Sequence, residues 1–203
     1  METIPAYWEE AKASLIESDE ILARIIMAYP RVSLQKRSDP FCTLARSIVG
    51  QQISIKAADS VWARLVAMLE TITPENVSAC TQLRTCGLSA RKVEYLLDLA
   101  AFFSGGKFAG WEAMQDEELI ASLVRIRGIG RWTAQMFLIF QGLRPDVFPL
   151  DDLGLRRAIC LHYNLGNDLE KGQMLAISES WRPWRSVATW YLWRSLDPVP
   201  VEY

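Results

Sequence analysis

Apolar residues recur at helical spacing along almost the whole chain, and no segment shows the sustained apolar/polar alternation of a half-buried strand. Side chains that cap helix N-termini interrupt this pattern. They stand at Asp19, at Asp39 before Pro40, at Ser54, at Thr73 and at Ser89. The pattern predicts an all-α protein of about ten helices.

The predicted helices have approximate limits, set by these caps and by the glycines that follow. The earlier ones are Glu20–Ala28, a helix from Pro40 to about Gly50, one after Ser54 to about Leu69, a short one from Thr73, and one after Ser89 to Phe103. The later ones are Glu117–Arg125 with Asp116 as cap, Arg131–Gln141, Asp151–His162, Asp168–Ser180 and Pro183–Leu196.

Composition excludes several classes of protein. In the 203 residues no run of about 18 apolar residues occurs, which argues against a membrane partner. The N-terminus does not resemble a secretory signal, so we expect a cytoplasmic (nucleoid-associated) or nuclear protein that is not secreted. The formal charge of -2 argues against non-specific coating of nucleic acid, so any nucleic-acid contact must be local. The spacing of the four cysteines matches no metal site or disulfide framework.

The stretch "IRGIGRW", residues 126 to 132, connects two predicted helices through Gly128 and Gly130. So short a turn predicts backbone conformations that only glycine adopts cheaply, with Ile129 packed inward. Its bare N–H groups and those of the next helix start would suit a phosphate. Side chains that could add to this site are Arg127, Arg131 and Thr133. The alternative is a tight helix–helix connection that binds no ligand.

Four motifs in order give a more specific indication. The segment "LVRIRGIGRWTAQMFLIF" resembles the hairpin element of the helix-hairpin-helix (HhH-GPD) DNA glycosylase superfamily, and "DVFPLDDLGLRRAI" is similar to the loop and aspartate that follow it. "FCTLARSIVGQQISIKAADSVW" resembles the opening helices of that superfamily. "GIGRWTA" and "RPWRSVATWYLW" look like the 3-methyladenine DNA glycosylase II branch. The resemblance spans about residues 15 to 197.

The resemblance implies two helical lobes with a cleft between them. One lobe would combine residues 1–39 with 145–203 and carry the catalytic aspartate, and the other would be residues 40–144 with the hairpin. The cleft would hold Trp132, Trp193 and Asp152. We expect a monomer that acts on duplex DNA containing damaged bases.

Breaking an N-glycosidic bond passes through a transition state with oxocarbenium character, which a fixed carboxylate beneath the sugar stabilises. Asp151 and Asp152 follow Pro149 at a predicted helix start, where the dipole favours a charged carboxylate. Alignment from the Trp132 motif without a gap places the family's catalytic aspartate at Asp152. Asp151 would then cap the helix or support its neighbour. Alternatively, both carboxylates do nothing beyond capping.

Trp132 bears on the reaction type and on the substrate. Relatives that also cut the DNA backbone carry a lysine at this place, whose amine forms a Schiff base. The resemblance therefore implies a monofunctional hydrolase without AP-lyase activity. The face of an indole attracts a cation, such as a base alkylated at a ring nitrogen. Trp193 corresponds to a second pocket tryptophan of the family, and Met136 lies one turn beyond Trp132. Core packing is the alternative for all three.

An enzyme that extrudes a base must fill the gap left in the duplex. Gln52 stands at the family position that does so, and Gln51 we expect to hold loop backbone. An ordinary glutamine pair at a helix end is the alternative. No cysteine follows Cys160, which excludes the iron–sulfur cluster of some relatives. We expect no metal centre and no cofactor, apart from the monovalent cation at hairpin carbonyls that the resemblance allows.

The implied function is base excision repair, by removal of alkylated purines such as 3-methyladenine and 7-methylguanine flipped out of duplex DNA. Two alternatives remain. The same scaffold could remove an oxidised or deaminated base. The chain could also be a non-catalytic helix-hairpin-helix DNA-binding module, in which Asp152 is only a cap.

Overall fold

The computed structural model describes residues 4–36, 39–106, 108–163, 165 and 169–196. Within these residues all regular structure is helical, which confirms the predicted all-α class. The α-helices are α1 (Trp8–Ser18), α2 (Glu20–Ala28), α3 (Pro40–Gly50), α4 (Ile55–Leu69), α5 (Pro74–Ala79), α6 (Ala90–Ser104), α7 (Asp116–Leu123), α8 (Arg131–Phe140), α9 (Leu153–His162), α10 (Lys171–Glu179) and α11 (Arg185–Leu196). None of them is long and apolar enough to cross a bilayer.

The predicted capping residues act as caps in the first half of the chain. At each of these helix starts a side-chain oxygen accepts a hydrogen bond from a backbone N–H of the first turn, which satisfies a donor that the helix itself leaves unpaired. The caps are Asp19 for α2, Asp39 for α3, Ser54 for α4, Thr73 for α5 and Ser89 for α6.

Later boundaries differ from the prediction by one to a few residues. Asp116 is the first residue of α7 rather than its cap, because Gln115 takes the extended cap conformation. The cap of α9 is Asp152, so this helix begins two residues after Asp151. Glu170 caps α10, and the predicted start at Asp168 lies outside the described residues. Helix α11 begins at Arg185, two residues after Pro183.

The described residues form two compact units. The terminal unit contains those up to Lys36 and those from Leu138 onward, and the central unit contains those between them. The sequence predicted divisions after residues 39 and 144, which are three and seven residues later than the observed divisions after Lys36 and Phe137.

The terminal unit packs around α11, which contacts α1, α2 and α9. Trp8 of α1 stacks on Tyr191 of α11 with ring centroids 5.7 Å apart. One carboxylate oxygen of Asp19 caps α2, and the other accepts hydrogen bonds from the Tyr163 hydroxyl at 2.6 Å and the Trp181 indole N–H at 2.9 Å. Asp19 therefore fastens a helix start to residues far along the chain.

The central unit packs α6 against α3 and α5, and α3 against α4. Its aromatic core includes Phe103 and Phe108, whose ring centroids lie 4.6 Å apart, and Trp111, which stacks on Phe108 at 5.6 Å. Phe137 of α8 meets the Trp111 ring edge to face at 5.0 Å. These contacts attach α8, and with it the hairpin that precedes it, to the core of the unit.

Candidate functional site

The hairpin between α7 and α8 depends on a glycine at position 128. Gly128 has φ +88°, in the left-handed region, and the next N–H, that of Ile129, bonds to the Ile126 carbonyl at 3.0 Å. A Cβ atom at Gly128 would lie 2.3 Å from the nearest atom of the Tyr95 ring on α6. Ile129 is buried, as predicted. Glycine is therefore required here both by the turn and by the packed ring.

Gly130 differs from Gly128, and the expectation that both adopt a glycine-only conformation is wrong for it. Its φ is outside the left-handed region, and an added Cβ would meet no atom within 4 Å. Helix α8 begins at the next residue, Arg131. The open space beside Gly130 at a helix N-terminus is the environment in which a phosphate can approach the backbone closely.

The two arginines of the hairpin lie against acidic side chains of the central unit. Arg127 forms a two-pronged pair with Asp98, through Nε and through Nη2 to Oδ1 at 3.0 Å, with Glu94 at 3.5 Å from Nη1. Arg131 forms a second two-pronged pair with Glu117, at 2.9 and 2.5 Å. These hydrogen bonds lower the pKa of Asp98 and of Glu117. A phosphate at the hairpin would meet guanidinium groups that already share their charge with carboxylates.

Gln52 lies at the tip of the turn between α3 and α4. It is exposed and has φ +58°, a left-handed conformation that a residue with a side chain adopts at a cost. Gln51 donates its amide N–H to the Gly128 carbonyl at 2.7 Å, which confirms that it holds loop backbone. Lys92 of α6 donates to the Val49 carbonyl at 2.7 Å, and its burial lowers the pKa of this amine. The exposed Gln52 is thus carried on a turn fixed from both sides.

The residues of α8 that the sequence assigned to binding differ in exposure. Trp132 is 37% exposed, whereas Met136 and Thr133 are buried. Burial of Thr133 favours a packing role for its side chain over the predicted contact with phosphate. Met136 lies one turn after Trp132, so the two share a helix face as predicted.

Asp152 and Asp151 have different environments in the terminal unit. Asp152 is 8% exposed and its Oδ1 accepts two hydrogen bonds, from the Leu155 backbone N–H at 2.6 Å and from the Trp193 indole N–H at 2.8 Å. Asp151 is exposed and pairs with Lys171. The cap role that the sequence offered Asp151 is wrong, since Asp152 caps α9 itself. Of these two neighbouring carboxylates, Asp152 is the one held in place by N–H donors.

The sequence did not reveal how the loop before Asp152 is held. Arg185 of α11 forms a two-pronged pair with the Asp146 carboxylate, at 2.6 and 2.9 Å. The Ser186 hydroxyl accepts a hydrogen bond from the Val147 N–H at 2.9 Å. The motif around residues 181 to 193 therefore fastens the loop as well as supplying Trp193. No local signal indicates this, because the partners lie 39 residues apart in the chain.

Comparison with known proteins decides the family. Residues 45–185 match the model of the HhH-GPD superfamily base excision DNA repair proteins. The chain belongs to this superfamily. Another member of the HhH-GPD superfamily, the DNA-3-methyladenine glycosylase 1 of Schizosaccharomyces pombe, is 34% identical over 192 residues, which cover 90% of this chain and 84% of that protein. The family predicted from the four motifs is confirmed.

Two solved HhH-GPD structures share the fold. The Schizosaccharomyces pombe 3-methyladenine DNA glycosylase in complex with abasic DNA has a TM-score of 0.78 and 33% identity, and covers 92% of this chain and 96% of its own. A DNA-3-methyladenine glycosidase from Bacillus halodurans has a TM-score of 0.84 and 30% identity, covering 97% of this chain and 93% of its own.

The hairpin carbonyls of this HhH-GPD protein already have partners. Ile126 O accepts from Ile129 N, Gly128 O from the Gln51 amide and Gly130 O from Ala134 N. A carbonyl oxygen has two lone pairs, so each retains one site at which a cation could bind. The monovalent cation at this hairpin stays a prediction.

Proposed function

We propose that this protein is a monofunctional DNA glycosylase that removes alkylated purines, such as 3-methyladenine and 7-methylguanine, from duplex DNA in base excision repair. The similar proteins are named as 3-methyladenine glycosylases, and one was solved with abasic DNA. The observation that carries the proposal is the Asp152 carboxylate, buried at the N-terminus of α9 and held by two N–H donors.

Asp152 would supply fixed negative charge to the reaction. As the bond between base and sugar breaks, positive charge develops on the sugar, and a carboxylate that needs no reorganisation stabilises it most effectively. The two donors to Oδ1 restrict the rotation of the carboxylate. Water then attacks the sugar, which leaves an abasic site and a free base.

Trp132 supports both the substrate class and the absence of strand cleavage. A tryptophan has no amine, so it cannot form the Schiff base through which bifunctional relatives cut the strand. Its partly exposed indole can stack on a cationic alkylated base, and such a base is already a good leaving group. A pocket selecting by charge therefore needs no strong general acid.

Binding of the duplex is assigned to the central unit. The N–H groups at Gly130 and the start of α8 would hold a phosphate, with Arg127 and Arg131 adding to the site after release from their carboxylates. Gln52, exposed on its fixed turn, would fill the gap left by the extruded base.

The test is base release from methylated duplex DNA, followed by chromatography of the free bases. Wild-type protein should release 3-methyladenine and 7-methylguanine, and Asp152→Asn should lower the rate by about 100-fold or more. Asparagine is as good an N-cap as aspartate, so the variant should keep its helix start. The matched control is Asp151→Asn, which alters the adjacent exposed carboxylate and should leave the rate within about twofold.

Three other outcomes would contradict parts of the proposal. Release of an oxidised or deaminated base alone would show a glycosylase of different specificity. Tight binding without any release would show a DNA-binding module. A covalent adduct trapped by borohydride would show a lyase and overturn the monofunctional mechanism.

A further inference from the structure

Trp193 has a close relation to Asp152 that base stacking alone does not explain. Its indole N–H donates to Asp152 Oδ1 at 2.8 Å. Its ring stacks on Phe140 of α8, with centroids 6.0 Å apart and planes 12° from parallel. The nitrogen edge of the ring is therefore directed at the carboxylate, and the ring plane is set by another aromatic ring.

Gly154 lies beside this hydrogen bond, at the start of α9. It is the second residue of the helix and its φ lies outside the left-handed region, so the backbone conformation does not require glycine. A Cβ there would lie 3.2 Å from Asp152 Oδ1 and 3.4 Å from Trp193 Cδ1. Glycine inside a helix costs stability relative to alanine. An added methyl group would therefore press on the carboxylate oxygen that accepts the indole N–H, while it would lie at ordinary contact distance from the indole itself.

The same face of α11 holds the loop that carries Asp152 at two points. Ser186 and Trp193 are seven residues apart, which is two helical turns and places them on one face. Ser186 holds the loop at Val147, and Trp193 holds it at Asp152. Because α11 is rigid, these contacts fix the position of the carboxylate relative to the helix.

We propose that Trp193 is a positioning residue for Asp152, acting through its indole N–H, and that Gly154 is glycine to leave room for the carboxylate oxygen that accepts this hydrogen bond. This inference rests on the proposed function, and for Trp193 it replaces the predicted role of stacking on the base. The hydrogen bond would keep the carboxylate oxygen at one place.

Trp193→Phe separates the two roles, because phenylalanine keeps a flat ring and removes the N–H. We expect kcat to fall about tenfold or more, the loss typical of one hydrogen bond to a charged group, with KM nearly unchanged. The fall should be equal for 7-methylguanine, which is cationic, and hypoxanthine, which is neutral.

A stacking role predicts otherwise. It requires a larger loss for the cationic base, and that result overturns the proposal. Trp62→Phe, at a half-buried tryptophan of the central unit, is the control for the loss of an indole and should not lower kcat.

Gly154→Ala tests the contact from the other side. Gly172 is its matched control, since it is also the second residue of its helix, α10, and an added Cβ there meets nothing within 4 Å. Gly172→Ala should leave kcat unchanged. Gly154→Ala should lower kcat, as Trp193→Phe does, without lowering the melting temperature. Equal kcat for the two alanine variants would contradict the proposal.

A readout without substrate distinguishes failure of this inference from failure of the proposed function. The indole N–H of Trp193 can be assigned in a ¹H–¹⁵N spectrum as the signal lost in Trp193→Phe. In Asp152→Asn that signal should move upfield and its hydrogen should exchange faster. An unchanged signal refutes the positioning role even if bases are released. A changed signal without base release by the wild type leaves the contact intact and refutes the enzyme.

Discussion

The hairpin offers a quantitative test of why position 128 is glycine. In Gly128→Ala, an alanine must adopt φ +88°, which costs about 1–2 kcal/mol. Its Cβ would also lie 2.3 to 2.8 Å from three atoms of the Tyr95 ring, and such overpacking costs about 1–3 kcal/mol. Alanine restricts the unfolded chain and so recovers about 0.4–1 kcal/mol. The net loss should therefore be about 1–5 kcal/mol, a large part of the stability of an ordinary domain.

Gly130→Ala is the matched control two residues away. Its φ is outside the left-handed region and the added methyl group meets open space, so only the unfolded-state term remains. This variant should be unchanged or slightly more stable. Both variants are compared by urea unfolding followed by tryptophan fluorescence, with hydrogen exchange of the α8 amides reporting on the central unit itself.

A double-mutant cycle with Tyr95→Ala separates the two costs. Removing the ring should eliminate the steric part, giving a coupling of about 1–3 kcal/mol between the two sites, while the backbone part persists. Equal stability of Gly128→Ala and Gly130→Ala would refute the whole reasoning. The same loss from Gly128→Ala with and without the Tyr95 ring would refute the steric half alone.

Three further predictions concern Asp98 and Gln52, which belong to the central unit that we propose binds the duplex. Asp98→Asn should release Arg127 for contact with phosphate, so the slope of log affinity for DNA against log salt should steepen by about 0.9. The control is Asp59→Asn, at the exposed Arg46–Asp59 pair of the same unit, which should leave that slope unchanged. Since Arg127 lowers the pKa of Asp98, the stability lost in Asp98→Asn should be fully present at pH 7. It should start to fall near the normal aspartate pKa of about 3.9 and disappear as pH falls through the lowered pKa of Asp98 in the folded protein. Gln52→Gly should relieve its left-handed strain and stabilise the protein by about 1 kcal/mol, yet reduce extrusion of a fluorescent base analogue.

Features encoded locally were predictable from the sequence. A capping oxygen bonds to an N–H two or three residues later, so Asp19 and Ser89 mark their helices without any knowledge of the fold. Helix α1 was not predicted, and its start lacks that signal because Tyr7 makes no capping bond with its side chain. Asp151 and Asp152 are adjacent candidates for the cap of α9, and the spacing of apolar residues does not locate a helix start to within one residue.

Contacts between distant segments could not be predicted. Asp152 and Trp193 are 41 residues apart, and Arg127 and Asp98 are 29 apart. Taken alone, each of these side chains is interpreted as a helix cap, a core ring or a surface charge. Its further role depends on the distant side chain that folding brings into contact with it. The resemblance supplied candidate positions at both sites, and the geometry supplied what those side chains contact.

Gly128 and Gly154 show how such contacts leave a mark in the sequence. At Gly128 an added Cβ would lie 2.3 to 2.8 Å from atoms of the Tyr95 ring, whereas at Gly154 it would lie 3.2 Å from Asp152 Oδ1, with Trp193 at ordinary contact distance. The two differ in backbone conformation, since only Gly128 is left-handed. Removing the Tyr95 ring should therefore make alanine only partly acceptable at 128, because the backbone cost remains. At 154 a small shift of the carboxylate oxygen accommodates the methyl group, so in the proposed enzyme alanine there should lower base release without lowering stability.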